Sequence, residues 1–313
     1  MTGKSEWPAL DWPAWRETAL HLQLVTQIVG KIRLALTPWL NHGWHVPLYV
    51  TPRGFATSAI PWQGDSFEIL IDLHDDWLFI TRATGAQSSV LLRAGTIADF
   101  HAKLMAALAE LGITVKISTL PNEMPDPVRF PEDRLQRPWD SAAVRDFHTA
   151  LVQVDRIFKA FRTGFVGKAS PVHFFWGSFD LAVTRFSGRI APPHPGGVPG
   201  LPDAVTREAY SHEVSSAGFW PGSDAYPHAA FYSYAYPSPD GFADAPVRPD
   251  AARFDATLGE FLLDYDAVRT APDPEAALMA FLQSTYEAAA SLGDWDREAL
   301  ECATGVPRIP RKP

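Results

Sequence analysis

The chain has little cysteine, no surplus of positive charge and no long apolar run, and each shortage excludes a class of protein. Cys302 is the single cysteine in 313 residues, which excludes an intrachain disulfide and a zinc site built from cysteines. Lys and Arg total 27 against 36 Asp and Glu, a formal charge of −9, so we expect no nucleic-acid partner. Because no uninterrupted apolar run approaches the length of a membrane span, we expect no membrane partner either.

The N-terminal residues, MTGKSEWPALDWPAW, contain no apolar core of the kind that a signal peptide needs. Apolar residues make up 46% of the chain and charged residues 20%, which is the balance of a globular protein. We therefore expect a soluble, cytoplasmic protein.

Proline is plentiful, with 28 residues, and it is concentrated in three segments at 121–138, 191–202 and 237–249. Proline cannot continue a helix or a central strand, so these segments are predicted to be loops. The first segment lies near the middle of the chain and is the predicted boundary. The predicted divisions are a first half at 1–120, a Pro-rich linker at 121–140, a second half at 141–305 and a frayed tail at 306–313.

Each half repeats one order of elements: a helix, several strands and a second helix. Apolar residues recur every three or four positions in 14–38 and again in 141–163, which predicts an amphipathic helix at the start of each half. The pattern predicts an α+β fold in which two similar helix–antiparallel strands–helix halves pack as one compact unit. An internal duplication is one explanation, and a chance recurrence of a common order is the other.

Strand alternation predicts which side chains share a face. In the strand expected at 229–236, Tyr232, Tyr234 and Tyr236 point the same way. In the strand expected at 208–214, Tyr210 and His212 share a face. The first face is an unusual row of phenol hydroxyl groups.

Two long segments are distinctive: NHGWHVPLYVTPRGF at 41–55 and SPVHFFWGSFDLAVTRFSGR at 170–189. With them the chain resembles an uncharacterised bacterial family that is known only as a domain of unknown function. The resemblance runs from about Trp7 to Ala299 and implies one intact architecture of bacterial origin. It brings no activity, cofactor or catalytic residue to this chain, and neither GxGxxG nor GxSxG occurs.

Histidines in these aromatic segments are the first candidate site. Imidazole is a common metal ligand and a natural acid–base group near neutral pH. We predict that His45, His173 and His212 act as catalytic groups or as ligands of zinc or non-haem iron. Tyr49 and Tyr210 are predicted to orient the substrate. The alternative is that each imidazole bonds a backbone carbonyl or a buried carboxylate.

Cationic and aromatic residues form the second candidate site. Lys168, Arg185 and Arg189 lie in a stretch that is unusually basic for an acidic chain, and Arg53 lies in the matching part of the first half. We predict that they grip an anionic group on the substrate and that Trp176 forms part of an aromatic wall. The alternatives are surface ion pairs for the cations and an ordinary core for the aromatic rings.

These candidates together predict a small-molecule enzyme with a pocket between the two halves. Its expected substrate is an anionic or aromatic organic molecule, and one version of the hypothesis is metal-dependent. Two other functions stay open: a non-catalytic small-molecule-binding module, and a structural or interaction protein. The sequence leaves the reaction, the metal and the oligomeric state undefined.

Overall fold

A computed structural model describes residues 6–310 of the chain. Within them lie seven α-helices and two antiparallel sheets of six strands each, which confirms the α+β fold class. The helices are α1 (Trp12–Leu36), α2 (Ile97–Glu110), α3 (Ser141–Thr163), α4 (Asp203–Ala209), α5 (Tyr265–Arg269), α6 (Pro274–Leu292) and α7 (Arg297–Leu300). In the described residues, no helix is both long and apolar enough to cross a membrane.

The first sheet follows α1 and is packed against by α1 and α2. Its main path runs in the order β1-β2-β4-β5-β6, and β3 pairs with β4 outside that path. The apolar side chains of β4 and β5 alternate between the core and the surface, as in a half-covered sheet. The strands are β1 (Tyr49–Thr51), β2 (Gly54–Ala56), β3 (Ile60–Trp62), β4 (Asp65–Asp72), β5 (Trp77–Arg82) and β6 (Gln87–Leu91).

The second sheet follows α3, whose first turn is capped by the Asp140 carboxylate. The strands lie in the order β11-β12-β10-β9-β8-β7. They are β7 (His173–Phe175), β8 (Asp180–Ile190), β9 (His212–Trp220), β10 (Ala230–Tyr236), β11 (Arg253–Asp255) and β12 (Glu260–Asp264).

A single antiparallel bridge joins the two sheets edge to edge. The Leu48 amide donates to the Phe174 carbonyl oxygen, and the Phe174 amide donates to the Leu48 carbonyl oxygen, each at 2.9 Å. The bridge connects the two distinctive sequence segments directly. It places the residues before β1 at the edge of the second sheet.

The two faces of the second sheet have different surroundings. Helices α3 and α6 pack on one face, where Leu181, Val183 and Phe231 are fully buried. The alternate residues of β8, among them Asp180 and Thr184, point away from those helices because successive side chains alternate along a strand. That second face meets α1, α4 and the loops beside them.

The strand predicted at 208–214 is wrong in part. Glu208 belongs to α4, Tyr210 is the C-terminal cap of that helix, and the strand begins only at His212. Tyr210 and His212 therefore do not share a strand face. The prediction for 229–236 is confirmed within one residue, because alternation along β10 is purely local.

The Pro-rich segment at 121–140 packs closely on the protein. Phe130 is fully buried, and the backbone of Asn122 exchanges two hydrogen bonds of 2.8 Å with the Gln27 side chain of α1. Of the predicted tail, only 306–310 belongs to the described residues. The domain boundaries and the duplication stay predictions.

Candidate functional site

A cavity of about 640 Å³ opens onto the second face of the second sheet. The sheet forms its floor. Its other walls come from the C-terminal part of α1, residues 39–46, residues 118–123, and the segment 198–210 that contains α4. Residues from both sequence halves and from the Pro-rich segment between them therefore line one space, with a volume in the usual range for small-molecule sites.

Three carboxylic acids line this cavity: Glu123, Asp180 and Glu260, hereafter the cavity acids. Asp180 begins β8 and is buried, and its two carboxylate oxygens accept hydrogen bonds from the hydroxyls of Ser178 and Tyr232. Glu123 comes from the Pro-rich segment, and Glu260 begins β12. Three distant parts of the chain thus bring their acids to one place.

All three cavity acids have a pKa above the ordinary value of their side chain. Burial, and then the charge of Asp180, raises the pKa of Glu123 to about 7. Burial raises the pKa of Glu260 to about 7 as well, again with a contribution from Asp180. Complete burial raises the pKa of Asp180 above its ordinary value, although its two hydroxyl donors act in the opposite direction.

Aromatic side chains make up much of the lining that the cavity acids share. Trp176 is held by a hydrogen bond of 2.9 Å from its indole nitrogen to the Val46 carbonyl oxygen. The rings of Tyr232 and Tyr234 are stacked on the floor with centroids 6.1 Å apart. The aromatic lining consists of Trp39, Trp44, Phe175, Trp176, Phe186, Tyr210, Trp220, Tyr232 and Tyr234.

Hydroxyl groups form a second polar feature of the floor. The hydroxyl oxygens of Tyr210 and Tyr234 lie 2.7 Å apart, and those of Thr184 and Ser216 lie 2.9 Å apart. Burial raises the pKa of both tyrosines, so both phenols stay protonated near neutral pH. The floor therefore presents neutral donors and acceptors beside the cavity acids.

Lys31 is the single Lys or Arg side chain among the described residues that line the cavity. Its amine donates to the side-chain oxygen of Asn122 and lies 5.7 Å from the Trp176 ring centroid. Burial lowers its pKa to about 8. Asn122 also donates to the Gly200 carbonyl oxygen at 2.7 Å, so this one amide connects α1, the Pro-rich segment and the loop before α4.

Two glycines leave room for side chains that line the cavity. A Cβ atom on Gly177 would lie 2.1 Å from Oε1 of Glu123, and one on Gly218 would lie 2.2 Å from the Tyr232 ring. Both distances are far below a van der Waals contact. Each glycine thus leaves the space that a cavity side chain occupies.

Three buried polar atoms among the lining residues have no hydrogen-bond partner in the described residues. They are Nε2 of His45, Oγ1 of Thr206 and Nε1 of Trp220. Nδ1 of His45 is already engaged, lying 3.2 Å from the Leu40 amide nitrogen and 3.3 Å from its carbonyl oxygen. Buried polar groups normally find a partner, so these three atoms are exceptions, although each lies beneath the cavity surface and not on it.

His173 does not line the cavity. It lies behind Trp44, with the ring centroids 5.9 Å apart, and 5.7 Å from the ring of Tyr49. Burial, reinforced by the charges of Arg33 and Arg162, lowers the pKa of His173 to about 3. The imidazole is therefore neutral at every physiological pH. Tyr49, which is predicted to orient substrate, is also outside the lining.

His212 is outside the lining as well, and its Nδ1 lies 3.1 Å from the Ser211 hydroxyl. Its ring is 5.9 Å from that of His42, which does line the cavity. Within residues 6–310, no group of three or more His, Cys, Asp or Glu side chains is arranged to hold a metal ion. The site predicted from His45, His173 and His212 for zinc or non-haem iron gains no support from this geometry.

The cations predicted to bind an anionic group lie elsewhere. Arg53 is in the β1–β2 turn, where its Nε donates to Asp72 at 2.8 Å. Arg185 is buried on the opposite face of the sheet, with its guanidinium carbon 3.5 Å from the Phe161 ring centroid. Neither residue lines the cavity, and the contacts of both are with other parts of the chain.

Lys168 and Arg189 are nearer the cavity but also outside its lining. The Lys168 amine lies 2.6 Å from Nε2 of His42 and packs on the outer side of the wall formed by Trp44. Arg189 pairs with Glu213 at 2.7 Å and borders a separate cavity of about 80 Å³. Of the predicted site residues, the structure brings His45, Tyr210 and Trp176 into the large cavity.

Sequence reasoning overlooked the cavity acids. Asp180 is the one charged residue in the largely apolar segment FFWGSFDLAV, and a lone acid in such a segment indicates a buried carboxylate. Glu260 begins a short strand that the pattern did not indicate, and Glu123 lies in a segment treated as a linker. Their meeting depends on long-range packing, which no local pattern records.

Fold and site together define an α+β protein with a partly open, aromatic-walled cavity on one face of its second sheet. The chain belongs to a family of unknown function, DUF5996, whose model matches residues 7–302. No curated protein and no solved structure matches the chain significantly.

Proposed function

We propose that this protein is a small-molecule enzyme that uses the cavity acids for acid–base chemistry on an organic substrate. The observation that carries the proposal is the meeting of Glu123, Asp180 and Glu260 inside one aromatic-walled cavity. A carboxylic acid is an efficient proton donor or acceptor when its pKa is close to the working pH. Glu123 and Glu260, each with a pKa of about 7, meet that condition.

The roles follow from the contacts. One of Glu123 and Glu260 donates a proton to the substrate while the other accepts one, and Asp180 stabilises positive charge that develops between them. Tyr210, whose hydroxyl bonds that of Tyr234, and His45, which also lines the cavity, orient the substrate. Aromatic rings provide most of the binding surface.

The experiment tests whether the protein converts any compound in a metabolite mixture whose members are not chosen in advance. Wild-type protein, the double variant Glu123→Gln/Glu260→Gln and the control Glu298→Gln are each incubated with a metabolite extract, and mass spectrometry follows every compound. Glu298 is exposed in α7 and is not part of the cavity. We expect wild type and control to consume one compound and the double variant to do so at least ~100-fold more slowly. Equal turnover by the double variant would contradict the proposal.

A non-catalytic binding module is the second candidate, because the same cavity serves binding alone. It predicts a compound that is retained by wild-type protein and recovered chemically unchanged. An interaction protein, the third candidate, needs no recess of about 640 Å³, so the cavity favours the other two functions.

A further inference from the structure

We infer that the molecule bound in the cavity is an organic cation, an amine or a quaternary ammonium compound, held by the cavity acids and the indole rings around them. This inference rests on the proposed function, in so far as that assigns the cavity to a small molecule. It names the chemical class of that molecule, which the proposed function leaves open.

The first argument is the charge of the lining. Within residues 6–310, none of the cavity acids forms an ion pair with a Lys, Arg or His side chain, and the partners of Asp180 are the neutral hydroxyls of Ser178 and Tyr232. An acid withdrawn from water is unstable in its charged form unless a cation accompanies it. Three such acids in one cavity leave the lining short of positive charge.

The second argument is the aromatic wall. The face of an indole ring attracts a cation electrostatically, and the attraction is strongest where water is excluded. Trp44, Trp176 and Trp220 all line the cavity, and a lysine amine already lies within 6 Å of the ring centroids of Trp44 and Trp176. The combination of ring faces with carboxylates favours a cation over a neutral aromatic molecule, which would use the rings and leave the acids unpaired.

Other occupants fit less well. A metal ion would need its ligands gathered at one point, and no group of three or more His, Cys, Asp or Glu side chains in the described part of the chain is so arranged. An anion would have to approach three acids with Lys31 as the single lining cation, and that amine already donates to Asn122. An organic cation is large enough to contact acids that come from a wall and from the floor of the same cavity.

The test is calorimetric titration of the full-length protein with matched probes. Choline and benzyltrimethylammonium are the cations, 3,3-dimethylbutan-1-ol is the neutral isostere of choline, and benzoate is the anion. We expect the cations to bind at least ~10-fold more tightly than the isostere or the anion. Their binding should also be about tenfold tighter at pH 8 than at pH 6 and release protons near pH 7, because a bound cation favours ionised Glu123 and Glu260.

Variants link the effect to the acids. Glu260→Gln should weaken cation binding and reduce proton release, while Glu298→Gln should leave both unchanged. Asp180→Asn keeps the size of the side chain and provides an independent variant if Glu260→Gln folds poorly. Equal binding of choline and its isostere would overturn the inference and leave the cavity proposal standing. Failure of both cations to bind would also overturn it, whereas the metabolite experiment judges the proposed function separately.

Discussion

The two faces of the second sheet bury charged groups of opposite sign, a cation on one face and acids on the other. On the face covered by α3 and α6, the Arg185 guanidinium is enclosed by the rings of Phe161, Phe165 and Tyr286, 3.5, 5.1 and 4.3 Å from their centroids. It also donates to the Phe161 carbonyl oxygen at 2.5 Å. On the cavity face, Asp180 has hydroxyl donors and no cation.

The difference indicates a structural role for the Arg185 face and a binding role for the cavity face. The aromatic cage of Arg185 is already filled by a side chain of the protein itself, so it serves stability. The cavity face also has aromatic rings, but its buried acids form no ion pair with a cation of the described chain. We infer that the chain supplies the caged cation on the first face and that a ligand supplies the cation on the second.

Removing the caged cation should have the largest effect. We expect Arg185→Ala to lower the free energy of unfolding by about 3 kcal/mol, as is typical when a large buried side chain is truncated. Arg185→Met, which keeps much of the volume, should lose less. Urea unfolding measures both variants, and a loss below about 1 kcal/mol for Arg185→Ala would refute a structural role for the cage.

Crowding the cavity face should have a smaller effect. Because its Cβ would overlap the Tyr232 ring, Gly218→Ala should displace that ring from Asp180 and cost about 2 kcal/mol. The intrinsic fluorescence of the neighbouring Trp220, whose ring lies 6.3 Å from that of Tyr232, should shift with it. An unchanged spectrum and stability would show that the ring and Asp180 are not coupled in this way.

The cavity acids should make stability depend on pH with a definite sign. Glu123 and Glu260 have folded pKa values near 7, above the ordinary value, so the folded state binds more protons between about pH 4.5 and 7. Their stabilising contribution is full below about pH 4.5 and is lost as the pH rises through 7. The double variant Glu123→Gln/Glu260→Gln should therefore gain stability relative to wild type over that range, by about 1.4 kcal/mol for each unit by which the pKa of an acid is raised. A constant difference, or one that shrinks as the pH rises, would contradict the burial of these acids.

Local pattern was sufficient for much of the fold. The helix predicted at 141–163 coincides with α3, because Asp140 caps its first turn and the apolar stripe has the helical period. The shared face of Tyr232 and Tyr234 follows from alternation along β10 alone. In each case the determining interactions lie within a few residues.

The site required information that local pattern does not contain. Tyr210 was assigned to a strand, yet it reaches the cavity from the end of α4. Glu123 approaches Asp180 only because Asn122 ties its segment to α1 and to the loop before α4. These contacts join residues that are far apart in the chain, so charge and periodicity in a short window could not predict them.

We expect Gly177→Ala to change stability least of these variants. It should weaken cation binding while leaving the free energy of unfolding nearly unchanged. The new Cβ would meet the far end of the flexible Glu123 side chain, which can move at a cost below about 1 kcal/mol. Cation binding, in contrast, should weaken by about threefold or more, since one of the cavity acids leaves its position. Paired urea unfolding and calorimetry measure the two effects on the same sample. A variant that binds the cation as wild type does would remove Glu123 from the set of acids that hold it, and would leave Asp180 and Glu260 as the charged face of the cavity.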